Sequence, residues 1–422
     1  MIDMTGVANA AYRLATDGAF GRASDWQADL YETLSLPERD LGSLLLTPTG
    51  AGKTEAVVVP ALGTHRGGAP RRLFLIGPDG SPLDDYLYRL VPYLKASVQG
   101  DETPRTLCVD VSDDDASADH ASANLCRRFF PSGEEDPHVE TNPLEADVDL
   151  VLTTFSRFRA LFFGSGGIHA LPSALLGSDG VSIRRDLFFF DEAHGYAPEA
   201  FAQFHRLVEF LFAEDNDVVV GSTTMPADLQ EEMSFLDAIR VPAGAGAGRR
   251  TLTHAPAADP LAAIETRIRR AYYQNARVVG VTETEADAET LHARLAASYP
   301  HSVYLYHAGQ EPEARRRIYA QLRELEKEGE GYLLLTTGGA LETSDLDATV
   351  LFSTLCSPES LIRRAGRCNR RGDLPDAQVF LVGDALDPAA RAVLPRQAEA
   401  YLSALRAQTD TPFDAEAWKA FI

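Results

Sequence analysis

Short apolar runs alternate with longer amphipathic stretches along most of the chain. In the first half, the apolar runs predict strands over residues 43–46, 73–76, 107–111, 149–152, 187–190 and 218–221. The amphipathic segments predict helices over residues 54–62, 155–163, 199–212 and 227–239. Strands that alternate with helices in this way are typical of α/β domains built on parallel sheets.

The same alternation starts again after a stretch of small residues, Pro-Ala-Gly-Ala-Gly-Ala-Gly at 242–248, which predicts a flexible connection. Beyond it, strands are predicted over residues 277–281, 303–306, 332–336, 349–352 and 378–382. Helices are predicted over residues 260–274, 285–297, 311–328, 358–365 and 388–407. We therefore expect two α/β lobes, 1–245 and 246–387, followed by a short C-terminal helical extension, 388–422.

The chain is strongly acidic, with a formal net charge of −23 over 422 residues. Phosphate binding favours a basic surface, so we expect any nucleic-acid contact to be confined to one basic groove. Acidic residues concentrate between residues 101 and 149. This region predicts either a solvated acidic insertion or a docking surface for a basic partner.

Composition also excludes several classes of protein. No apolar run approaches the roughly 20 residues that span a bilayer, so no membrane segment is expected. The 4 cysteines are scattered and form no Cys-x-x-Cys pair, which argues against a zinc site and against a disulfide framework. The N-terminus lacks the layout of a signal peptide. We expect a cytoplasmic protein.

A phosphate-binding loop is the strongest local signal. The segment 47–54, Thr-Pro-Thr-Gly-Ala-Gly-Lys-Thr, follows a predicted strand and opens a predicted helix, as such a loop requires. Its glycines let backbone N–H groups face phosphates, and the helix N-terminus adds aligned donors. We expect Lys53 to reach the β- and γ-phosphates of ATP and the Thr54 hydroxyl to bind Mg²⁺. The remaining expected ATP contacts in this region are Thr49, Gly50, Ala51, Gly52 and Glu55.

A second signal, Asp191-Glu192-Ala193-His194, comes directly after a predicted strand. An Asp at the carboxyl end of a buried strand, beside a phosphate loop, can hold the Mg²⁺ shell. The adjacent Glu192 can orient and deprotonate the attacking water. We therefore expect Asp191, Glu192 and Lys53 to be catalytic.

A third signal is the arginine segment 363–370, Arg-Arg-Ala-Gly-Arg-Cys-Asn-Arg. Arginines spaced by three fall near one face of a turn, and their planar forks suit a γ-phosphate. An arginine supplied by another lobe stabilises charge in the transition state and is worth about 10³–10⁵ in rate. Arg367 and Arg370 are the predicted fingers, with a solvated basic patch or a nucleic-acid contact as the alternatives.

Further polar residues suit the same site or a nucleic-acid track. The Gln27 amide can read the edge of adenine, although this residue also suits helix packing. Asp345 is a candidate to face the ATP ribose or the boundary between the lobes. Threonines at the ends of predicted strands are candidates for contacts with the phosphates of nucleic acid. The alternative is that their hydroxyls stabilise turns at the strand ends. These residues are Thr153, Thr154 and Thr337.

Read in order, these motifs resemble superfamily 2 helicases of the DExH type, most of all the CRISPR-associated type I signature helicase. The segments that carry the resemblance are 26–27, 48–54, 153–154, 191–194, 222–226, 337–347 and 360–370. The most discriminating are Thr-Thr-Met-Pro at 223–226 and Ser-Leu-Ile-Arg-Arg-Ala-Gly-Arg-Cys-Asn-Arg at 360–370. The resemblance implies two tandem RecA-like lobes and ATP-driven 3′-to-5′ translocation along single-stranded DNA.

The resemblance also implies roles for particular residues and partners. Arg367 and Arg370 would be the fingers, and His194 would couple the γ-phosphate to the segment 222–224. The family motor works with an HD nuclease in DNA interference. Because no His-Asp metal cluster is visible in this sequence, we expect the nuclease and the CRISPR effector complex to be separate partners.

Two substitutions depart from the family pattern. Arg363 replaces a Gln that helps to sense the γ-phosphate. Leu341 stands where the family has Glu, and Glu342 follows it directly. Both positions bear on how hydrolysis is coupled to movement.

The predicted function is that of an ATP-dependent, Mg²⁺-requiring DNA helicase or translocase. A DExH RNA helicase is the alternative within this class, because the ATP-site motifs of the two look alike. An ATP-gated clamp or scaffold, which binds a partner complex without unwinding, is the alternative from another class.

Overall fold

The computed structural model divides into two compact units. The first unit contains Met1–Thr47 and Gly52–Val241, and the second contains Pro48–Ala51 and Pro242–Ile422. The lobe boundary near residue 245 and the extension from residue 388 remain predictions. The structure describes residues 25–35, 41–48, 51–61, 65–66, 69–70, 72–78, 83, 86, 90–91, 93–94, 105–109, 124–129, 135–140, 148–163, 186–196, 198–241, 248–272, 276–300, 302–344, 346–370, 372, 374–375, 377–386, 391 and 397–422.

The first unit is a sheet flanked by helices. Its strands are β1 (Gly42–Leu46), β2 (His65–Arg66), β3 (Ala69–Pro70), β4 (Leu73–Gly77), β5 (Arg105–Val109), β6 (Asn124–Phe129), β7 (Glu135–Glu140), β8 (Leu150–Thr154), β9 (Leu187–Phe190), β10 (Asp217–Ser222) and β11 (Asp237–Arg240). Its helices are α1 (Asp25–Ser35), α2 (Lys53–Ala61), α3 (Phe155–Phe163), α4 (Pro198–Ala213) and α5 (Ala227–Glu232), with a 3₁₀ turn at Ala193–Gly195.

The main sheet of this unit has the strand order β11-β1-β10-β9-β4-β8-β5-β6-β7. The strands from β11 to β5 are parallel, and β6 and β7 continue the sheet in antiparallel pairing. Strands covered on both faces need apolar residues throughout, and β4, β9 and β10 are buried along their whole length. Aromatic side chains fill one face: Phe74, Phe155, Phe158, Phe188, Phe190, Tyr196 and Phe204.

A buried ion pair fixes the amino edge of this sheet. Arg72 precedes β4 and Asp186 precedes β9, and the Nε and Nη2 atoms of Arg72 donate to Asp186 Oδ2 at 3.1 and 2.5 Å. Asn216 Oδ1 accepts the Asp186 amide at 3.2 Å, and Asp217 Oδ1 accepts the Leu41 amide at 2.8 Å. These contacts tie together the starts of β1, β4, β9 and β10.

The second unit repeats the arrangement of a sheet between helices. Its strands are β12 (Thr251–Ala255), β13 (Arg277–Thr282), β14 (Val303–Tyr306), β15 (Tyr332–Thr337), β16 (Val350–Thr354), β17 (Gln378–Val382) and β18 (Thr411–Pro412). Its helices are α6 (Pro260–Tyr272), α7 (Glu285–Ala296), α8 (Pro312–Glu328), α9 (Gly338–Thr343), α10 (Pro358–Ala365), α11 (Ala398–Arg406) and α12 (Ala415–Lys419).

The sheet of the second unit has the strand order β14-β15-β13-β16-β17-β12-β18. All of its pairings are parallel except that of β18 with β12. The apolar faces of α6 and α7 cover one side through Ile264, Ile268, Leu291 and Leu295. The predicted α/β fold with parallel sheets flanked by helices is confirmed, with antiparallel strands added at the end of each sheet.

The structure corrects one predicted helix and adds a strand that was not predicted. The helix predicted over 227–239 ends at Glu232, and Asp237–Arg240 is strand β11, because its backbone pairs in parallel with β1. Strand β12 was not predicted, since Thr251–Ala255 is short and mixes polar with apolar residues. Of the helix predicted over 388–407, Ala398–Arg406 forms α11, and residues 388–390 and 392–396 lie outside the described residues.

The acidic region between residues 101 and 149 contains β5, β6 and β7. Its acidic run at 113–115 lies outside the described residues. None of the described helices combines the length and the apolar character needed to span a bilayer.

Candidate nucleotide site

The motif residues of the first unit gather at the carboxyl edge of its sheet. Thr47 follows β1, and its amide donates to Ser222 O, at the end of β10, at 3.1 Å. Because β1 and β10 are adjacent and parallel, the start of the phosphate loop lies beside the segment 222–224. Asp191 follows β9, which pairs with β10 on its other side. The topology therefore brings the predicted loop and the predicted acids to one edge.

Lys53 is the first residue of α2, and its ammonium group is buried between two carboxylates. Its Nζ lies 3.0 Å from Asp191 Oδ1 and 2.6 Å from Glu192 Oε1. Its stem packs on Gly221, where an added Cβ would lie 2.9 Å from Lys53 Cδ. Burial opposes the charged form, but the charges and hydrogen bonds of Asp191 and Glu192 together outweigh burial and raise the pKa of Lys53 above its ordinary value. Lys53 is therefore a cation at neutral pH.

Thr54 and Asp191 form the pair predicted to bind Mg²⁺. Thr54 Oγ1 donates to Asp191 Oδ2 at 2.8 Å, and both side chains are buried. The Tyr86 hydroxyl approaches the same oxygen at 3.4 Å. Mg²⁺ takes few protein ligands and completes its shell with waters and phosphate oxygens. One hydroxyl and one carboxylate held within a hydrogen bond of each other fit that requirement.

Glu192 leaves the strand in a strained backbone conformation. Its φ of 51° and ψ of 45° lie in the left-handed region, which residues with a side chain seldom adopt. Its amide donates to Asp191 Oδ1 at 3.0 Å, and its side chain stays 24% exposed. Strain of this kind persists only where the surrounding structure supports it, and it concentrates at functional sites. The turn leaves a carboxylate that solvent water can reach beside the buried Lys53.

His194 and Thr223 connect Glu192 to the end of β10. His194 Nδ1 lies 2.8 Å from Ser222 Oγ and 3.4 Å from Glu192 Oε2. Thr223 Oγ1 donates to the same Glu192 oxygen at 3.4 Å. The Glu192 carboxylate therefore contacts the segment 222–224 directly through Thr223 and indirectly through His194.

Gln27, on α1, contacts the phosphate loop. Its Nε2 donates to Gly52 O at 3.2 Å. Gly52 has a φ of +81°, and an added Cβ would lie 2.9 Å from Gln27 Nε2. Its left-handed backbone conformation favours glycine at this position.

The remaining predicted ATP contacts near this loop are only partly described. Glu55 is buried in the first turn of α2. The Ala51 amide donates to Pro48 O at 3.2 Å, which makes a tight turn. Thr49 and Gly50 lie outside the described residues.

Three threonines are predicted to contact nucleic acid, and each lies at the end of a β-strand. Thr153 and Thr154 close β8, and the Thr153 hydroxyl is buried and donates to Thr154 O at 3.4 Å. Thr337 closes β15 and stands at the N-cap of α9, where its side chain makes no capping bond. Thr154 and Thr337 are half-buried, whereas Thr153 is buried.

Arg367 and Arg370 follow α10 in the second unit and bind main-chain carbonyls. Arg367 is buried; its Nη1 donates to Ser344 O at 2.6 Å and its Nη2 to Glu342 O. Arg370 Nη1 donates to Ser344 O at 3.4 Å. Both guanidinium groups therefore converge on the loop after α9. Asp345, the next residue of that loop, lies outside the described residues.

The two departures from the family pattern meet in the structure. Arg363 Nη1 lies 3.1 Å from Glu342 Oε2, and Arg363 Nη2 lies 3.4 Å from Glu359 Oε1. Leu341 is buried. The acid that stands one residue past Leu341 is thus an ion-pair partner of the arginine that replaces Gln.

The fold is shared with solved helicases over nearly the whole chain. The helicase MrfA bound to DNA matches with a TM-score of 0.63 at 14% identity, over 99% of this chain and 56% of that one. Dbp5 of S. cerevisiae, bound to RNA and ADP BeF3, matches with a TM-score of 0.63 at 15% identity, over 99% of this chain and 96% of that one. No curated protein matches this sequence. The chain therefore has the fold that these solved structures share.

A narrower relationship appears in the second half of the chain. Residues 274–373, which include the arginine segment, match the family model of the CRISPR-associated nuclease/helicase Cas3, C-terminal. T. fusca Cas3 with ATP matches with a TM-score of 0.63 at 18% identity, over 96% of this chain and 53% of that one. The chain thus spans about half the length of MrfA and of Cas3. The predicted resemblance to Cas3-like superfamily 2 helicases is confirmed.

Proposed function

We propose that this chain hydrolyses ATP and uses it to move along a nucleic-acid strand, as a helicase or translocase. The observation that carries the proposal is the cluster of Lys53, Thr54, Asp191 and Glu192 at one sheet edge. Phosphoryl transfer depends on positioning and on charge stabilisation. An ammonium, a hydroxyl and two carboxylates within hydrogen-bond reach are the groups that it needs.

ATP with Mg²⁺ is the cofactor that these residues suit. The N-terminus of α2 offers aligned N–H donors to phosphate oxygens. Lys53 would exchange its carboxylate partners for phosphate oxygens, and Thr54 and Asp191 would hold Mg²⁺. The metal, when bound, neutralises charge that develops on the phosphates. We assign the adenine to Gln27 and the ribose to Asp345.

Glu192 is the proposed general base. Its partly exposed carboxylate can orient a water and take its proton, and its contacts with His194 and Thr223 would pass the change on to the segment 222–224. Arg367 and Arg370 are the proposed arginine fingers, which would stabilise charge on the γ-phosphate.

Single-stranded DNA is the proposed track, with 3′-to-5′ movement. Thr153, Thr154 and Thr337 would contact backbone phosphates through hydroxyl and main-chain N–H groups. The solved MrfA structure is bound to DNA and that of Dbp5 to RNA, so RNA is the second candidate. The match of residues 274–373 to Cas3 supports a role in type I CRISPR interference, with a separate HD nuclease and an effector complex as partners.

The rate of ATP hydrolysis, measured with single-stranded DNA, with single-stranded RNA and with neither, tests this proposal. We expect DNA to raise kcat at least about tenfold, and Lys53→Ala to abolish hydrolysis because the phosphate cradle loses its cation. Greater stimulation by RNA would make the chain an RNA helicase. ATP binding that neither polymer turns into faster hydrolysis would contradict the motor and favour an ATP-gated clamp.

A further inference from the structure

We propose that Asp347 is a positioning residue for Arg370: its buried carboxylate fixes the main chain from which the arginine projects. The inference rests on the proposed function, because it assumes that Arg370 acts in ATP hydrolysis. Asp345 and Asp347 stand close together in the sequence, and a role at the ATP ribose suggests itself for either. Asp347 is buried within the second unit and contacts the arginine segment instead.

Asp347 lies next to an isolated parallel bridge between Ala348 and Cys368 of the arginine segment. Its Oδ1 accepts the Arg370 amide at 2.7 Å. The adjacent Ala348 amide donates to Arg367 O at 2.9 Å, and Ala348 O accepts the Asn369 amide at 2.8 Å. The main chain from 367 to 370 is therefore bonded on one side at three successive points by Asp347 and Ala348.

Asn369 holds the same turn from the other side. Its φ of 50° is left-handed, a conformation that Asn tolerates better than most residues. Its Nδ2 donates to Arg249 O at 2.8 Å and to Leu374 O at 3.0 Å, and its Oδ1 accepts the Leu374 amide at 3.1 Å. The turn is thus clamped between two sets of bonds, and the direction of the Arg370 side chain follows from its backbone.

A second buried carboxylate holds Asp347 itself. Glu326 Oε1, on α8, accepts the Asp347 amide at 2.8 Å and the Tyr332 hydroxyl at 2.8 Å. Arg277 Nη2 lies 3.5 Å from Asp347 Oδ2 and offsets its charge. Buried carboxylates are costly unless they are paired and hydrogen-bonded, so a network of this kind keeps its members in one arrangement.

The network bears on hydrolysis because it holds the main chain from which the Arg370 side chain projects. The Arg370 amide donates to Asp347 Oδ1 at 2.7 Å, a short hydrogen bond to a buried carboxylate. A displacement of about 1 Å at a catalytic group is enough to slow a reaction about 10²-fold. Asp347 therefore acts on kcat through Arg370 without touching the nucleotide.

ATP hydrolysis by Asp347→Ala, Asp347→Asn and Arg370→Ala tests the inference in the full chain, with melting temperature measured for each variant. We expect Asp347→Ala to lower kcat about 10²-fold with KM for ATP within about threefold of wild type. Asp347→Asn should recover most of kcat, because the amide oxygen still accepts the Arg370 N–H. The double variant Asp347→Ala/Arg370→Ala should be no slower than Arg370→Ala, because the group that Asp347 positions is already gone.

Tyr332→Phe is the matched control, since it removes a buried hydrogen bond of the same network but leaves the contact between Asp347 and Arg370. It should lower the melting temperature and keep kcat. If Asp347→Ala does not fold, Asn369→Gly opens the other clamp while keeping the left-handed backbone, and it should lower kcat about tenfold. The inference would be overturned if the double variant lost kcat by the product of the two single losses. It would also be overturned if the loss of kcat followed the loss of melting temperature in every variant. A wild-type chain without ATPase activity would instead overturn the proposed function.

Discussion

At the scale of single residues, the thiols of Cys356 and Cys368 give a pH-dependent prediction. Burial raises the pKa of each from 9.0 to about 12. A group whose pKa is raised on folding stabilises the fold fully below its unfolded value and loses that contribution as pH rises through its folded value. The stability of the folded chain should therefore fall between pH of about 9 and 12.

Chemical denaturation from about pH 8 to about pH 12 measures this loss of stability. Thiol reactivity in a Cys108→Ser/Cys126→Ser background, which leaves only these two thiols, tests the burial that causes it. We expect negligible reaction with an aromatic disulfide reagent at pH 8 in the folded chain, because the thiolate is the reactive form, and full reaction in denaturant. Equal rates under both conditions would contradict the burial of these residues.

Single residues also show which parts of the site a sequence can predict. Lys53 and Asp191 were predictable together, because each follows a strand of a parallel sheet and such strand ends share an edge. The Tyr86 hydroxyl, 3.4 Å from Asp191, lies in no motif and depends on tertiary packing alone. The sequence shows that Asp347 is an acidic residue near a motif. Its contact with Arg370, 23 residues further along the chain, is known only from the structure.

At the scale of elements, the ion pair of Arg72 and Asp186 joins the starts of strands in the first sheet. We expect Asp186→Ala to lower the free energy of unfolding by about 3–5 kcal/mol, because the Arg72 charge stays buried without its partner. Chemical denaturation measures the change. The control is Glu231→Ala, an exposed site on α5, which should change stability by less than about 0.5 kcal/mol. A loss for Asp186→Ala no larger than that of the control would contradict the buried pair.

Elements differ in how well their sequences specify them. Strand β9, Leu-Phe-Phe-Phe, is buried on both faces and reads as a strand from composition alone. Strand β11, Asp-Ala-Ile-Arg, is mostly exposed and joins the sheet through backbone pairing with β1. Its side chains show no strand pattern, and for this reason the helix predicted over 227–239 was drawn too long. The pair β12 and β18 was also missed, because a two-residue strand has no periodicity to detect.

At the scale of the whole molecule, charge and fold lead to different expectations. A net charge of −23 repels nucleic acid at long range, whereas the fold is that of helicases solved with DNA and RNA. The acidic charge and the helicase fold are compatible if the chain contacts nucleic acid at few and local points. Residues at the ends of β-strands, such as Thr154 and Thr337, would make these contacts. The sequence predicted the α/β fold of the lobes because alternating patterns specify each layer independently.

Single-turnover ATP hydrolysis by the wild-type chain and by Glu192→Gln, in the presence of single-stranded DNA, tests whether the cluster at Lys53, Asp191 and Glu192 is the ATPase site. The substitution keeps the shape of the side chain and removes its capacity to accept a proton. We expect Glu192→Gln to bind ATP with an affinity close to wild type and to hydrolyse it about 10²–10⁴-fold more slowly. Hydrolysis at equal rates by the two chains would contradict the assignment of the cluster at Lys53, Asp191 and Glu192 as the ATPase site.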